Sequence, residues 1–249
     1  MKAINSISIK LAAMALLALS VPAFASEMDS RIESSARQSY VFKTYLQGDD
    51  IKIQSKDNAV TLTGTVSEES HKSLAQETVA GLPGVKSVDN KLETKGESPA
   101  KNSDAWLTTK VKTALLFHRS VSATTKVDVK GGLVTLRGDA SSQAQKELTT
   151  EYARDVEGVK EVNNEMTVTK NQKKARTAGE KIDDASITAQ VKMTLLYHRS
   201  TSALNTKVET RDGVVTLHGK AGNAAEIKLA TKLAKDVNGV KEVRNRMAI

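Results

Sequence analysis

Apolar residues recur along this chain first at helical spacing and then in alternation, and that succession occurs three times. In the third occurrence Ile187, Val191 and Leu195 stand at i, i+4 and i+8, the stripe of an amphipathic helix; Leu107, Val111 and Leu115 match them in the second. Ser103-Asp104 and Asp183-Asp184 stand ahead of these stripes and offer N-caps and favourable first-turn charge. Two alternating runs follow. Lys126–Val129 leads through Gly131-Gly132 into Leu133–Leu136, and Asp212-Gly213 supplies the matching turn in the third unit, a hairpin signal. A second stripe, Ala225, Leu229, Leu233 and Val237 with Ala230 and Ala234 beside it, predicts another helix. Gly239, like Gly158 and Gly84, falls just past that stripe, where a left-handed C-terminal cap is expected. A last strand carries Val240, Val243, Met247 and Ile249. Each unit reads helix–strand–strand–helix–strand. The fold class is therefore α+β, with two helices packed on one face of a three-stranded sheet.

The repetition extends to residue strings. Val60-Thr61-Leu62-Thr63-Gly64 returns as Val134–Gly138 and Val215–Gly219, and Gly84-Val85-Lys86-Ser87-Val88-Asp89-Asn90 returns as Gly158–Asn164 and Gly239–Asn245. A residue shared by all copies is expected to serve the fold of the copy. The second and third units share more, since Leu115–Ser120 (LLFHRS) returns as Leu195–Ser200 (LLYHRS). The predicted layout is a signal over 1–25 and units over 29–94, 103–169 and 183–249. Polar linkers fill 95–102 and 170–182, the second of them basic. Units of this size are near the lower limit for folding alone, and three independent beads are expected.

The order of elements, with the Val-Val-Thr-Leu-x-Gly strand and the Gly-Val-x-x-Val-x-Asn ending, resembles the BON domain in all three units, which makes them tandem BON-like domains. The resemblance implies association with the bacterial envelope, phospholipid binding and a role in osmotic or envelope stress. The first unit departs most. Its opening helix, predicted over Ile32–Leu46, is carried by Ile32, Ala36 and Tyr40; no His-Arg-Ser follows it, and its hairpin turn around Lys56-Asp57-Asn58 reads about two residues longer by alignment.

Lys2 and Lys10, the apolar run Leu11–Val21 and Ala23-Phe24-Ala25 have the form of a secretory signal cleaved after Ala25, and the run is too short for a membrane span. With no Cys in the sequence, disulfides, thiol catalysis and thiolate metal sites are excluded. The periplasm is the expected compartment. Charge is unevenly placed: the first unit carries a net −2, the second 0, the second linker +4 and the third unit +4. That asymmetry is read either as a solubilising surface or as attraction to an anionic lipid or membrane surface. Aromatic residues are too few to stack nucleic-acid bases, so nucleic acid is not an expected partner.

Enzyme motifs are missing. Gly213–Lys220 has the wrong glycine spacing for a phosphate-binding loop, and no nucleophile elbow or metal-spaced His pair occurs. No catalytic, cofactor or metal residues are expected, and the chain reads as non-enzymatic. The candidate anion-binding set is Lys173, Lys174 and Arg176 on the linker, and Lys192, His198, Arg199 and Lys207 in the third unit, with Lys192 expected toward solvent. His118 and His198 have two readings: cations closing the C-terminal end of the first helix, or phosphate contacts assisted by the following Arg. Trp106 is read as filling a domain junction or a membrane interface. The competing function is a periplasmic adaptor or holdase that takes envelope proteins at its sheet edges or domain grooves.

Overall fold

A computed structural model describes residues 21–96, 99–122, 124–169, 181–201 and 206–249, with side chains from residue 27 onward. The first unit runs α1 (Val21–Gln38), α2 (Tyr40–Thr44), β1 (Asp50–Lys56), β2 (Ala59–Val66), α3 (Glu69–Ala80) and β3 (Ser87–Thr94). The second runs α4 (Asp104–Leu116), β4 (Lys126–Lys130), β5 (Leu133–Arg137), β6 (Asp139–Ala140), α5 (Gln143–Arg154), β7 (Glu161–Asn164) and β8 (Thr167–Val168). The third runs α6 (Asp184–Tyr197), β9 (Thr206–Arg211), β10 (Val214–Lys220), α7 (Ala224–Lys235) and β11 (Glu242–Ala248). In each sheet the second strand is central. It pairs antiparallel with the strand across the hairpin and parallel with the strand reached through the helix. A two-residue turn permits only the first pairing, and a helical crossover produces the second.

The strings shared by all three units do serve the fold. Asn90, Asn164 and Asn245 each staple the last strand to the second helix: the Asn164 amide donates to the Lys146 carbonyl at 2.9 Å and to the Thr150 hydroxyl at 2.8 Å, and its carbonyl oxygen accepts from the Met166 amide. Asn90 and Asn245 bond in the same way. Gly64, Gly138 and Gly219 take φ of 115°, 116° and 131°, and a Cβ at Gly138 would stand 2.6 Å from the Thr124 carbonyl oxygen. Only glycine fits there. Asp29, Asp104 and Asp184 hold the hairpin turns, each carboxylate accepting both turn amides. The N-caps are the residues before the last two, Ser103 and Asp183.

Three local expectations change. The first unit's turn is as tight as the others, because Asp57 and Asn58 both take left-handed φ of 54° and 71°. Its opening helix breaks at Ser39, whose hydroxyl caps α2. Gly84, Gly158 and Gly239 are left-handed but stand three residues beyond the C-caps Gly81, Asp155 and Asp236, in the turn into the last strand. The expected signal over 1–25 lies mostly outside the described residues, with α1 running through the expected cleavage position.

Independent beads are not what packs here. One continuous core joins the three units, and α6 lies at its centre against α3, α4 and α7. Ten of the fourteen residues of α6 are buried, including Ser186, Gln190 and Thr194, a polar row flanking the Ile187–Val191–Leu195 stripe. An amphipathic pattern becomes a helix covered over most of its surface because the first unit seats beside its polar row. Two N–H groups at the start of α2 are capped across units, Tyr40 by the Asp183 carboxylate at 2.8 Å and Val41 by the Ser186 hydroxyl at 3.1 Å. Gly81 lets α3 approach closely, since a Cβ there would meet the Ala185 Cα at 3.3 Å.

Candidate functional site

The His-Arg-Ser strings form a reciprocal clamp between the second and third units. Each follows the first helix of its own unit and closes on the C-cap aspartate of the other unit's second helix. His118 Nδ1 lies 3.2 Å from Asp236, and His198 Nδ1 lies 3.1 Å from Asp155. The Arg119 amide donates to the Asp236 carbonyl at 2.9 Å and the Arg199 amide to the Asp155 carbonyl at 2.8 Å. Ser120 Oγ donates to the Asp236 carboxylate at 2.6 Å, and Ser200 Oγ donates to that of Asp155. Both guanidiniums lie on carbonyls at the end of the facing helix and the turn beyond it: Arg119 on those of Lys235, Val237 and Val240, Arg199 on that of Arg154. A cation at a helix C-terminus is favourable, and here the helix belongs to the other unit.

The two imidazoles meet at the centre, Nε2 to Nε2 at 3.3 Å, with both side chains fully covered. That bond needs one proton between the two rings. His198 directs Nδ1 at Asp155, so the network assigns the shared proton to His118 Nε2. His118 Nδ1 then faces Asp236 at close range, off the axis of a hydrogen bond. Tyr152 breaks the symmetry. Its ring stacks on His118 with centroids 4.0 Å apart, and its hydroxyl donates to Asp236 at 3.0 Å; Leu233 occupies the matching place in α7. Burial pushes the His118 pKa down, with Asp236 opposing and His198 adding to the fall. Burial alone would raise Asp236 and Asp155, but the His and Ser partners hold both carboxyls below their ordinary range. Burial, and then Asp236, push the Tyr152 phenol well up.

The remaining sequence candidates separate. Lys173, Lys174 and Arg176 lie outside the described residues. Lys192, expected toward solvent, pairs with Glu77 of the first unit at 2.6 Å. Lys207 is exposed beside Glu209 on the sheet face that no helix covers. That open face gathers what the charge count indicated. Register places Lys207, Arg211, Lys220, Arg244 and Arg246 on it, with His218 between Lys207 and Arg246, against only Glu209 and Glu242. The corresponding face of the first unit balances Lys52, Lys56 and Lys91 against Asp50, Asp89 and Glu93. That of the second balances Lys126, Lys130 and Arg137 against Asp128, Glu161 and Glu165, with Arg137 bonded to two of them. Trp106 is half-buried beside the core with the Lys110 ammonium 4.3 Å from its ring centroid. Among the described residues no three His, Asp or Glu side chains gather as a metal site.

Residues 28–96, 103–170 and 183–249 each match the BON domain. The chain is 39% identical over 145 residues to osmotically-inducible protein Y of Escherichia coli K12, covering 57% of this chain and 70% of that one. It is 30% identical over 142 residues to outer membrane lipoprotein DolP of Haemophilus influenzae, covering 56% and 71%. Among solved structures, CdsD, a structural protein of the type III secretion system of Chlamydia trachomatis, aligns at 16% identity and a TM-score of 0.24, covering 89% of this chain and 91% of that one. Three matched segments spanning most of its length place this chain in the BON-domain family.

Proposed function

We propose that this chain is a non-enzymatic, periplasmic envelope protein that docks on anionic phospholipid surfaces under osmotic or envelope stress. The observation that carries the reading is the open sheet face of the third unit, where five cations meet two carboxylates while the other two faces are balanced. A face free of helices can lie flat on a surface, and each basic residue near anionic headgroups contributes about 1 kcal/mol. Lys173, Lys174 and Arg176 of the linker add to the same charge. The names of two relatives, one osmotically inducible and one an outer membrane lipoprotein, support the setting. No described helix is long and apolar enough to cross a membrane, so reversible docking fits better than insertion. Vesicle flotation tests the reading: the protein should float with phosphatidylglycerol-rich vesicles at low salt, lose them at high salt, and ignore phosphatidylcholine. Equal binding to both lipids, or binding indifferent to salt, would overturn it.

A further inference from the structure

We propose that the edge of β9 is a docking groove for an extended acidic polypeptide segment, which adds to the third sheet as a fourth strand. β9 is an outer strand of its sheet. Its hairpin closes through the two residues Asp212 and Gly213, which makes Arg211–Val214 a hydrogen-bonded pair. Bonded and non-bonded pairs then alternate, so Glu209 and Lys207 face β10 while the main-chain groups of Val208 and Thr210 point outward.

In the first unit the same two positions are closed. Arg37 donates to the Ile53 carbonyl at 3.1 Å, and the Ser55 amide donates to Glu33 at 2.9 Å, both from α1. Aligned on the turn-holding aspartates Asp29 and Asp184, those helix positions in the third unit are Thr188 and Lys192. Thr188 directs its hydroxyl at the Thr210 hydroxyl, 2.7 Å away, and Lys192 reaches across to Glu77. Two adjoining openings result, about 330 and 820 Å³, which share Lys192 and Val208 and have α3 of the first unit as their far wall.

The chemistry of that groove selects its occupant. Outward main-chain donors and acceptors are matched by another main chain about 4.8 Å away. Met193 and the 48% exposed Leu196 line one end and offer apolar contact to alternate side chains. Lys207 and Arg211 stand on the open face beside the incoming strand with one carboxylate, Glu209, between them, and cross-strand neighbours of opposite charge are favoured there. An extended segment alternating apolar and acidic residues satisfies all three. This site lies on the strand's edge and takes a polypeptide, and its larger opening shares Lys207, Arg211 and Arg244 with the sheet face proposed for lipid.

The probes are a short peptide alternating valine and glutamate, its valine–lysine counterpart, and reduced carboxymethylated α-lactalbumin, an acidic chain that stays unfolded. Anisotropy and amide exchange are read on the full chain. The glutamate peptide and the unfolded chain should bind, and the Val208 and Thr210 amides should exchange about tenfold more slowly when they do. Leu196→Asp, at an exposed position, should weaken binding about tenfold while leaving vesicle flotation intact. Thr210→Pro removes an outward N–H and spares the β9–β10 ladder, so it should act likewise; if it unfolds the third unit, Leu196→Asp decides. No binding of either acidic probe would overturn the proposal. So would binding with unchanged exchange at Val208 and Thr210, full affinity in Leu196→Asp, or equal binding of the lysine peptide.

Discussion

Removing either carboxylate of the reciprocal clamp should cost a similar amount, because each accepts two hydrogen bonds, one from a serine and one from a ring group. Asp236 accepts from Ser120 and Tyr152 and faces His118 Nδ1, whereas Asp155 accepts from Ser200 and His198. Hydrogen bonds to a charged group contribute about 1.5–3 kcal/mol each, less where water can replace the partner, as it can at the two serines. Asp236→Ala strands the Tyr152 hydroxyl, and Asp155→Ala strands the buried His198 Nδ1–H. A loss of about 2–3 kcal/mol is expected for each of Asp236→Ala and Asp155→Ala. Urea unfolding at pH 7, followed by Trp106 fluorescence and by circular dichroism, measures both. With the pair in contact through the two imidazoles, the double variant should lose less than the two single losses together. Losses under about 0.5 kcal/mol for either variant, or strict additivity, would refute the clamp.

Acidification should loosen the same junction. His118 has a lowered pKa when folded, so its stabilising neutral form is complete above about pH 6.5 and is lost as pH falls through the folded value. Up to about 2 kcal/mol is lost between pH 7 and pH 5; His118→Gln should remove most of that slope in pH-dependent unfolding. Gly138→Ala should destabilise by more than about 2 kcal/mol in thermal melts, from left-handed strain and the collision with the Thr124 carbonyl. Gly213→Val, strained at φ 78°, tests the shared core: calorimetry should show the three units melting together at a lower temperature, whereas separate transitions would restore the beads.

The elements were legible in the sequence because periodicity and turn chemistry act locally. The reason for the threefold Asn and Gly was not legible, since staple bonds and a Cβ collision depend on partners some 14 to 18 residues away. The clamp left a trace that periodicity does not use. His-Arg-Ser occurs in the second and third units and not the first, and so do Asp155-Val156 and Asp236-Val237, where the first unit has Gly81-Leu82. Two motifs that keep the same company point to mutual contact. Lys192 could not be placed by helical spacing alone, because a solvent-facing position becomes an ion pair once another unit docks. The basic sheet face emerged only when register brought cations from three strands to one side.

Charge reversal on matching faces tests the central claim most directly. Lys207→Glu, Arg244→Glu and Arg246→Glu together should weaken binding to phosphatidylglycerol vesicles roughly a hundredfold or more, at about 1 kcal/mol per lost cation. Lys52→Glu, Lys56→Glu and Lys91→Glu, on the balanced face of the first unit, should change it little. Equal losses from the two sets, or none from the first at low salt, would contradict docking through the third sheet.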